Sequence, residues 1–220
     1  MWLAELPPFV PFYAAALLAG LTRGRIRVLI LLAAPLLGGL QLLGVESGVE
    51  LQTRFLGYDL IPFRVDKLSL LFGYLFHIGA LLAIVFSLHV RDTLQHVAGL
   101  CYAGSALGAV FAGDLITLFV FWELLAVSSV FLIWARRSER ALAAGFRYLM
   151  MQIFSGVLLL AGVLLHVQQG GSLQFTYIGL DGLSGWLIFI AFGIKCAFPL
   201  LHNWLTDAYP EATPTATVLA

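Results

Sequence analysis

The sequence predicts an all-α polytopic membrane protein of about seven transmembrane helices, with a discontinuous seventh helix and a short external β-hairpin. Three observations carry that expectation. Of the 220 residues, 61% are hydrophobic and 11% charged, with a mean hydropathy of +0.97; a soluble domain has about 45–50% apolar and about 25% charged residues. Apolar runs long enough to cross about 30 Å of hydrocarbon recur along the whole chain. Finally, Lys195 stands inside the run GLSGWLIFIAFGIKCAFPLL, four residues before Pro199 and the polar, helix-breaking stretch HNWLTDAYPEATPT.

The first run, Leu6 to Leu21, is short and Pro-rich. Its opening, MWLAELPP, lacks the positive n-region of a cleavable signal, so a retained helix is expected. Val28 to Val45 forms the second span. Between Glu46 and Asp66, Val49, Leu51 and Phe55, then Ile61, Phe63 and Val65, alternate with polar residues around Gly57-Tyr58-Asp59, the pattern of a half-buried hairpin. Leu68 to Val90, Val97 to Gly113, Leu115 to Ala135, Ala141 to Val167 and Gly182 to Leu201 complete the spans. Asp114 can cap the helix that begins at Leu115. The GSALG run, Gly104 to Gly108, has the small-residue spacing of close helix contact. Thr213 as N-cap and Pro214 at the first helical position open one more helix just before the sequence ends. Two regions are expected: 1–67, two helices plus the external hairpin, and 68–220, a helical portion that stops after the broken seventh helix, as in part of a longer subunit.

Positive charge accumulates on the cytoplasmic side of membrane proteins. One alternate set of connections carries Arg23, Arg25, Arg27, Arg91, Arg136, Arg137 and Arg140; the other carries Arg54, Arg64 and Lys67. The N-terminus is therefore expected outside a cell inner (plasma) membrane, with multi-pass topology. The net charge is zero and the positive residues serve topology, so nucleic acid is not an expected partner. Cys101 and Cys196 both fall in expected spans without metal spacing, which reads as small core residues.

Two ionisable groups stand at membrane depth. Glu123 lies eight residues past Leu115, about 12 Å down its helix, and Lys195 thirteen residues past Gly182, about 20 Å from that helix's outer end. A charge at mid-membrane costs about 2.5–3.5 kcal/mol even on permissive insertion scales, so it marks a site. An acid and a base at similar depth are the minimum for a proton relay; the plainer alternative is a static ion pair that locks two helices. Pro199 removes the hydrogen bond to the carbonyl of Lys195, and freed backbone at that depth needs protein or a water-filled cavity around it. Moving a proton against 100 mV takes about 2.3 kcal/mol, and one pKa unit is about 1.4 kcal/mol. A switching pair is therefore sufficient in scale.

Accessory candidates are Arg147, His202 and His77. Arg147 is six residues inside its helix, within reach of the interface by snorkelling. His77 lies mid-helix, and His202 adjoins the break. His166, near a helix end, reads as an ordinary hydrogen-bonded residue. Phe119, Phe121 and Trp122 read as packing around Glu123. No metal site, cofactor fingerprint or hydrolytic triad is present, so no metal or cofactor is expected and the chain itself holds no catalytic residues for redox chemistry or hydrolysis.

The stretch KCAFPLLHNWLTDAYPEATPTATV resembles the signature of the proton-conducting antiporter-like subunits shared by Mrp-type sodium/proton antiporters, respiratory complex I and membrane-bound hydrogenases. RVDKLSLLF is similar to the entry of their third helix, LFVFWELLAVSSVFLI to their fifth with its glutamate, and FRYLMMQIFSGVLLLAGVLL with GSLQF to their sixth helix and outer loop. The likeness covers residues 46–220, and DAYPEAT is most similar to the D subunit of Mrp antiporters. The resemblance implies that Glu123 is the family's helix-five glutamate and Lys195 its broken-helix lysine, acting together as a charge switch, with Pro199 and Pro214 marking the broken helix. Thr206 stands where the family commonly has proline. The family's next relay residue would lie beyond Ala220. The resemblance therefore implies a cation/proton antiporter subunit carrying protons and, among cations, Na+. Its partners would be other membrane subunits, including a polypeptide that supplies the C-terminal half. Two other readings stand beside it: a proton-pumping membrane subunit of an NADH:quinone oxidoreductase or hydrogenase complex, and a non-conducting structural fragment.

Overall fold

The computed structural model describes residues 6–219; residues 1–5 of the MWLAELPP opening and Ala220 lie outside that range. The helices are α1 (Val10–Leu21), α2 (Gly24–Leu42), α3 (Lys67–Ser87), α4 (Thr93–Val110), α5 (Leu115–Trp134), α6 (Glu139–Gln168), α7 (Leu183–Lys195), α8 (Asn203–Ala208) and α9 (Pro214–Leu219). A 3₁₀ turn, Tyr209–Glu211, links the last two. The fold is an all-α membrane protein with one small hairpin. Among the described residues, four helices, α2, α3, α5 and α6, are long and apolar enough to cross a membrane alone. α1 and α7, with 12 and 13 residues, extend only about 18–20 Å. α4 has 18 residues and buries Gln95, His96 and Ser105, so three of the seven expected spans depend on their neighbours.

Consecutive helices pack side by side, with α1 returning against α4 and α6 lying along both α5 and α7. The small-residue run of α4 works as its spacing suggests. A side chain at Gly104 would meet Phe12 of α1 and the carbonyl of Phe9 just before it, and one at Gly108 would meet Phe121 of α5. One core, with Phe12, Leu31, Leu42, Leu107 and Phe111, joins α1–α4; a second, with Leu118, Trp122, Leu159, Val163 and Ala191, joins α5–α7.

The hairpin pairs β1 (Glu50–Phe55) with β2 (Tyr58–Arg64). Its two-residue turn is Leu56-Gly57, at φ 49° and 86°, the left-handed pair of a type I′ turn. The turn thus sits one residue earlier than the sequence suggests. Burial differs too: β1 is exposed throughout, and only Leu60, Ile61 and Phe63 of β2 are buried. Asp114 explains the asymmetry. It is fully buried, caps α5 through Thr117 N–H (2.8 Å) and Thr117 hydroxyl (2.6 Å), and accepts a third bond from Ile61 N–H at 2.7 Å. That carboxylate fastens β2 to the start of α5 and leaves β1 on the outside.

α3 begins in a capping box: Asp66 accepts from Ser69 N–H (2.7 Å), while Ser69 hydroxyl accepts from Asp66 N–H (2.8 Å). The Ser69 amide bond holds the Asp66 carboxyl below its ordinary range. A depressed carboxyl stabilises the fold above its unfolded-state pKa, and that contribution fades as pH falls through the folded value. Asp66→Ala is expected to destabilise the detergent-solubilised protein by about 1 kcal/mol at neutral pH. Thermal unfolding should show the gap between variant and parent narrowing below pH 4, about the ordinary carboxyl range.

Candidate functional site

α7 stops at Lys195, six residues short of the expected Leu201. Its end is a Schellman motif: Phe198 N–H bonds to Gly193 C=O (2.9 Å) and Ala197 N–H to Ile194 C=O (3.1 Å), with Ala197 at φ 53°. A β-turn follows, closed by Leu201 N–H to Phe198 C=O at 2.8 Å, with Pro199 at its second position and Leu200 at φ 73°, the type II pattern. Pro199 therefore lies outside the helix, four residues past its last residue, and not inside a span running to Leu201. The main-chain oxygen given an unusual partner is that of Ile194, which accepts the Trp204 indole N–H of α8 at 2.9 Å.

This early stop leaves Lys195 on the last turn, its ammonium turned toward α5. Nζ donates to the Trp122 carbonyl at 3.3 Å and lies 5.0 Å from the centre of the Trp122 ring, within cation–π range. Trp122 is locked in place. Its indole N–H donates to Ser155 of α6 (3.2 Å), whose hydroxyl donates to the Ala191 carbonyl of α7 (2.9 Å), and Phe192 meets the ring edge-on at 4.9 Å. One hydrogen-bonded chain thus ties α5, α6 and α7 at the depth of the lysine.

Glu123 follows Trp122 and faces α6. Its Oε1 is buried without a hydrogen-bond partner among the described residues and occupies the space over Gly156, where an added Cβ would fall 1.6 Å away. Glu123 and Lys195 act on each other electrostatically, yet they are not in contact. Among the described residues, the ion pairs within 4.0 Å are Arg54–Asp59, Arg136–Glu211, Arg137–Asp92 and Arg147–Asp207. A cavity of about 200 Å³ is lined by Lys195 with Ser129, Tyr148, Gln152, Trp204 and Thr217; Glu123 is absent from its wall. The acid and the base are neighbours across Trp122, and the cavity belongs to the base.

The other candidates scatter. Arg147 does not simply snorkel: Nε and Nη2 meet Asp207 Oδ2 and Oδ1 at 2.7 and 2.8 Å, a two-pronged pair that pins α8 to α6. Since both side chains stay well exposed, 59% and 40%, its contribution is that of a surface pair. Arg147→Ala is expected to slow transport by no more than roughly fivefold, and the exchanged pair Arg147→Asp with Asp207→Arg to recover part of the loss in a vesicle assay. His77 is buried in the α1–α3 core, Nδ1 on the Gly73 carbonyl (2.7 Å) and Nε2 against Gly38. It is packed with Phe12, in a different core from Trp122. His202 is exposed at the start of α8. Cys196 is exposed at the end of α7, not a core residue, and both cysteines are free. Pro214 opens α9 behind Thr213, whose hydroxyl accepts from Ala216 N–H at 3.2 Å.

Trp122, Gly156, Gln152 and Asp207 do not stand out in the sequence as parts of a site. One signal was present: Tyr148, Gln152 and Ser155 form a polar i, i+4, i+7 stripe on an otherwise apolar stretch of α6.

Residues 112–220 match the family model described as NADH:quinone oxidoreductase/Mrp antiporter, TM. The chain belongs to that family of antiporter-like membrane subunits. It is 28% identical to hydrogenase-4 component B of Escherichia coli (strain K12) over 197 residues, covering 80% of this chain and 29% of that one. It is 32% identical to the A subunit of the Na(+)/H(+) antiporter of Alkalihalophilus pseudofirmus over 174 residues, 70% of this chain and 21% of that one. Among solved structures, a chain of the membrane-bound sulfane sulfur reductase, an archaeal respiratory membrane complex, superposes with a TM-score of 0.84 at 23% identity, covering 97% of this chain and 37% of that chain. The chain thus spans well under half the length of each.

Proposed function

We propose that this chain forms a proton half-channel in a multi-subunit cation/proton antiporter, with Glu123 and Lys195 as its charge pair. The observation that carries the reading is the placement of Lys195. It sits at a helix end, held by a carbonyl and a ring face, and opens onto a cavity of about 200 Å³. A lysine bound only by neutral groups can exchange a proton with water without breaking an ion pair. Glu123, one residue beyond Trp122, supplies the field that changes when its own charge or a nearby ion changes. Partners are other membrane subunits. The distribution of arginine among the loops supports an N-terminus outside the plasma membrane.

The similarity to hydrogenase-4 component B favours a second reading, in which the same helices move protons driven by electron transfer in another subunit. Vesicles containing the intact complex and a pH-sensitive dye separate the two. An imposed Na+ gradient should shift internal pH under the first reading; under the second, only an electron donor and acceptor should do so. Proton movement under neither drive would contradict both.

A further inference from the structure

Gln152 is 1% exposed, and neither its Nε2 nor its Oε1 has a hydrogen-bond partner among the described residues. A buried amide is rarely left in that state, because it forfeits hydrogen bonds it would keep in water. Gln152 lines the cavity that Lys195 enters, and that cavity, at about 200 Å³, has room for several waters. One helical turn away, toward the arginine-rich loop before α6, Tyr148 hydroxyl meets Ser129 hydroxyl at 2.7 Å. Ser129 also donates to the Leu125 carbonyl at 2.7 Å, which leaves Tyr148 as donor to Ser129. Both line the same cavity. Amine, amide and paired hydroxyls therefore line one cavity on one side of Lys195.

We infer that Gln152 is a positioning residue that orders water between Lys195 and the Ser129–Tyr148 hydroxyl pair, and that this water is the route by which Lys195 exchanges protons with the side of the membrane where α5 ends. The inference rests on the half-channel reading above. In the step itself, the Lys195 ammonium gives one proton to a cavity water and becomes a neutral amine. Each oxygen along the route accepts one proton and releases another, and the return transfer restores the ammonium. The Gln152 amide keeps its own protons; its Oε1 accepts from one water while its Nε2 donates to another. Trp204, packed on Tyr148 at 5.4 Å, lines the cavity on the α8 side.

The test uses the intact complex in vesicles, with Gln152→Leu, Gln152→Asn, Tyr148→Phe and Lys195→Ala compared for initial proton flux in H2O and D2O. Gln152→Leu should lower flux about tenfold or more, raise the H2O/D2O ratio and alter the pH profile, while Gln152→Asn recovers part of the flux. Tyr148→Phe keeps the ring packing and should lower flux in the same direction. Parental flux in Gln152→Leu, or a loss with unchanged isotope ratio and pH profile, overturns the inference. Should Gln152→Leu fail to assemble, Tyr148→Phe decides on the same criteria. Full flux in Lys195→Ala would instead sink the half-channel reading itself.

Discussion

Lys195→Ala is expected to lower proton flux through the intact complex by roughly a hundredfold or more, with assembly preserved. Two features predict that size. The ammonium is the cationic group lining the α5–α6–α7 cavity, and losing a positioned proton carrier ordinarily costs about 10²–10⁴ in rate. Assembly should survive, because Trp122, Ser155 and the Ala191 carbonyl still tie the three helices when the lysine's own bond to the Trp122 carbonyl is lost. Lys195→Arg is the sharper companion. It keeps the charge over Trp122 but cannot release a proton in a protein, so it should remain nearly as inactive as alanine. Flux is read with an internal pH dye after an imposed gradient, and assembly by size-exclusion profile.

The second large effect concerns Gly156. Glycine-to-alanine inside a helix ordinarily stabilises by about 0.5–1 kcal/mol, so propensity alone predicts a harmless change. The structure predicts the opposite for transport, because the new methyl would fall 1.6 Å from Glu123 Oε1 and 2.8 Å from its carboxyl carbon. The carboxylate is the end of a flexible chain and can swing away; the helices need not separate. Gly156→Ala should therefore keep or slightly raise thermal stability while lowering flux about tenfold or more. Gly79→Ala is the matched control, since no atom lies within 4 Å of an added Cβ there, and its flux should equal the parent's.

The legible part of the fold is the part that a linear pattern encodes. Long apolar runs gave the helices, and the N-cap chemistry of Asp114 and Thr213 appeared where residue type and position predict it. The end of α7 was hidden because proline is an obvious breaker, whereas Ala197 and Leu200 hold positive φ without the glycine that normally advertises it. The hairpin's alternation was visible on both strands, but which strand would be covered depended on Asp114 reaching across to Ile61, 53 residues earlier in the chain. Glu123 and Lys195 stood out because charge is rare at that depth. Gly156, Trp122 and Gln152 did not, since a glycine, an aromatic and an amide on a helix face usually mean packing. Their roles come from contacts between α5, α6 and α7 that spacing along one helix cannot show.

Glu123 and Lys195 should function as one unit although they do not touch, and the half-channel stands or falls with that coupling. A double-mutant cycle of proton flux, using Glu123→Gln, Lys195→Met and the pair together in the reconstituted complex, measures it most directly. The predicted result is strong non-additivity, with the double variant no slower than the slower single one. Flux in the double variant equal to the product of the two separate losses would show independent residues and contradict the half-channel.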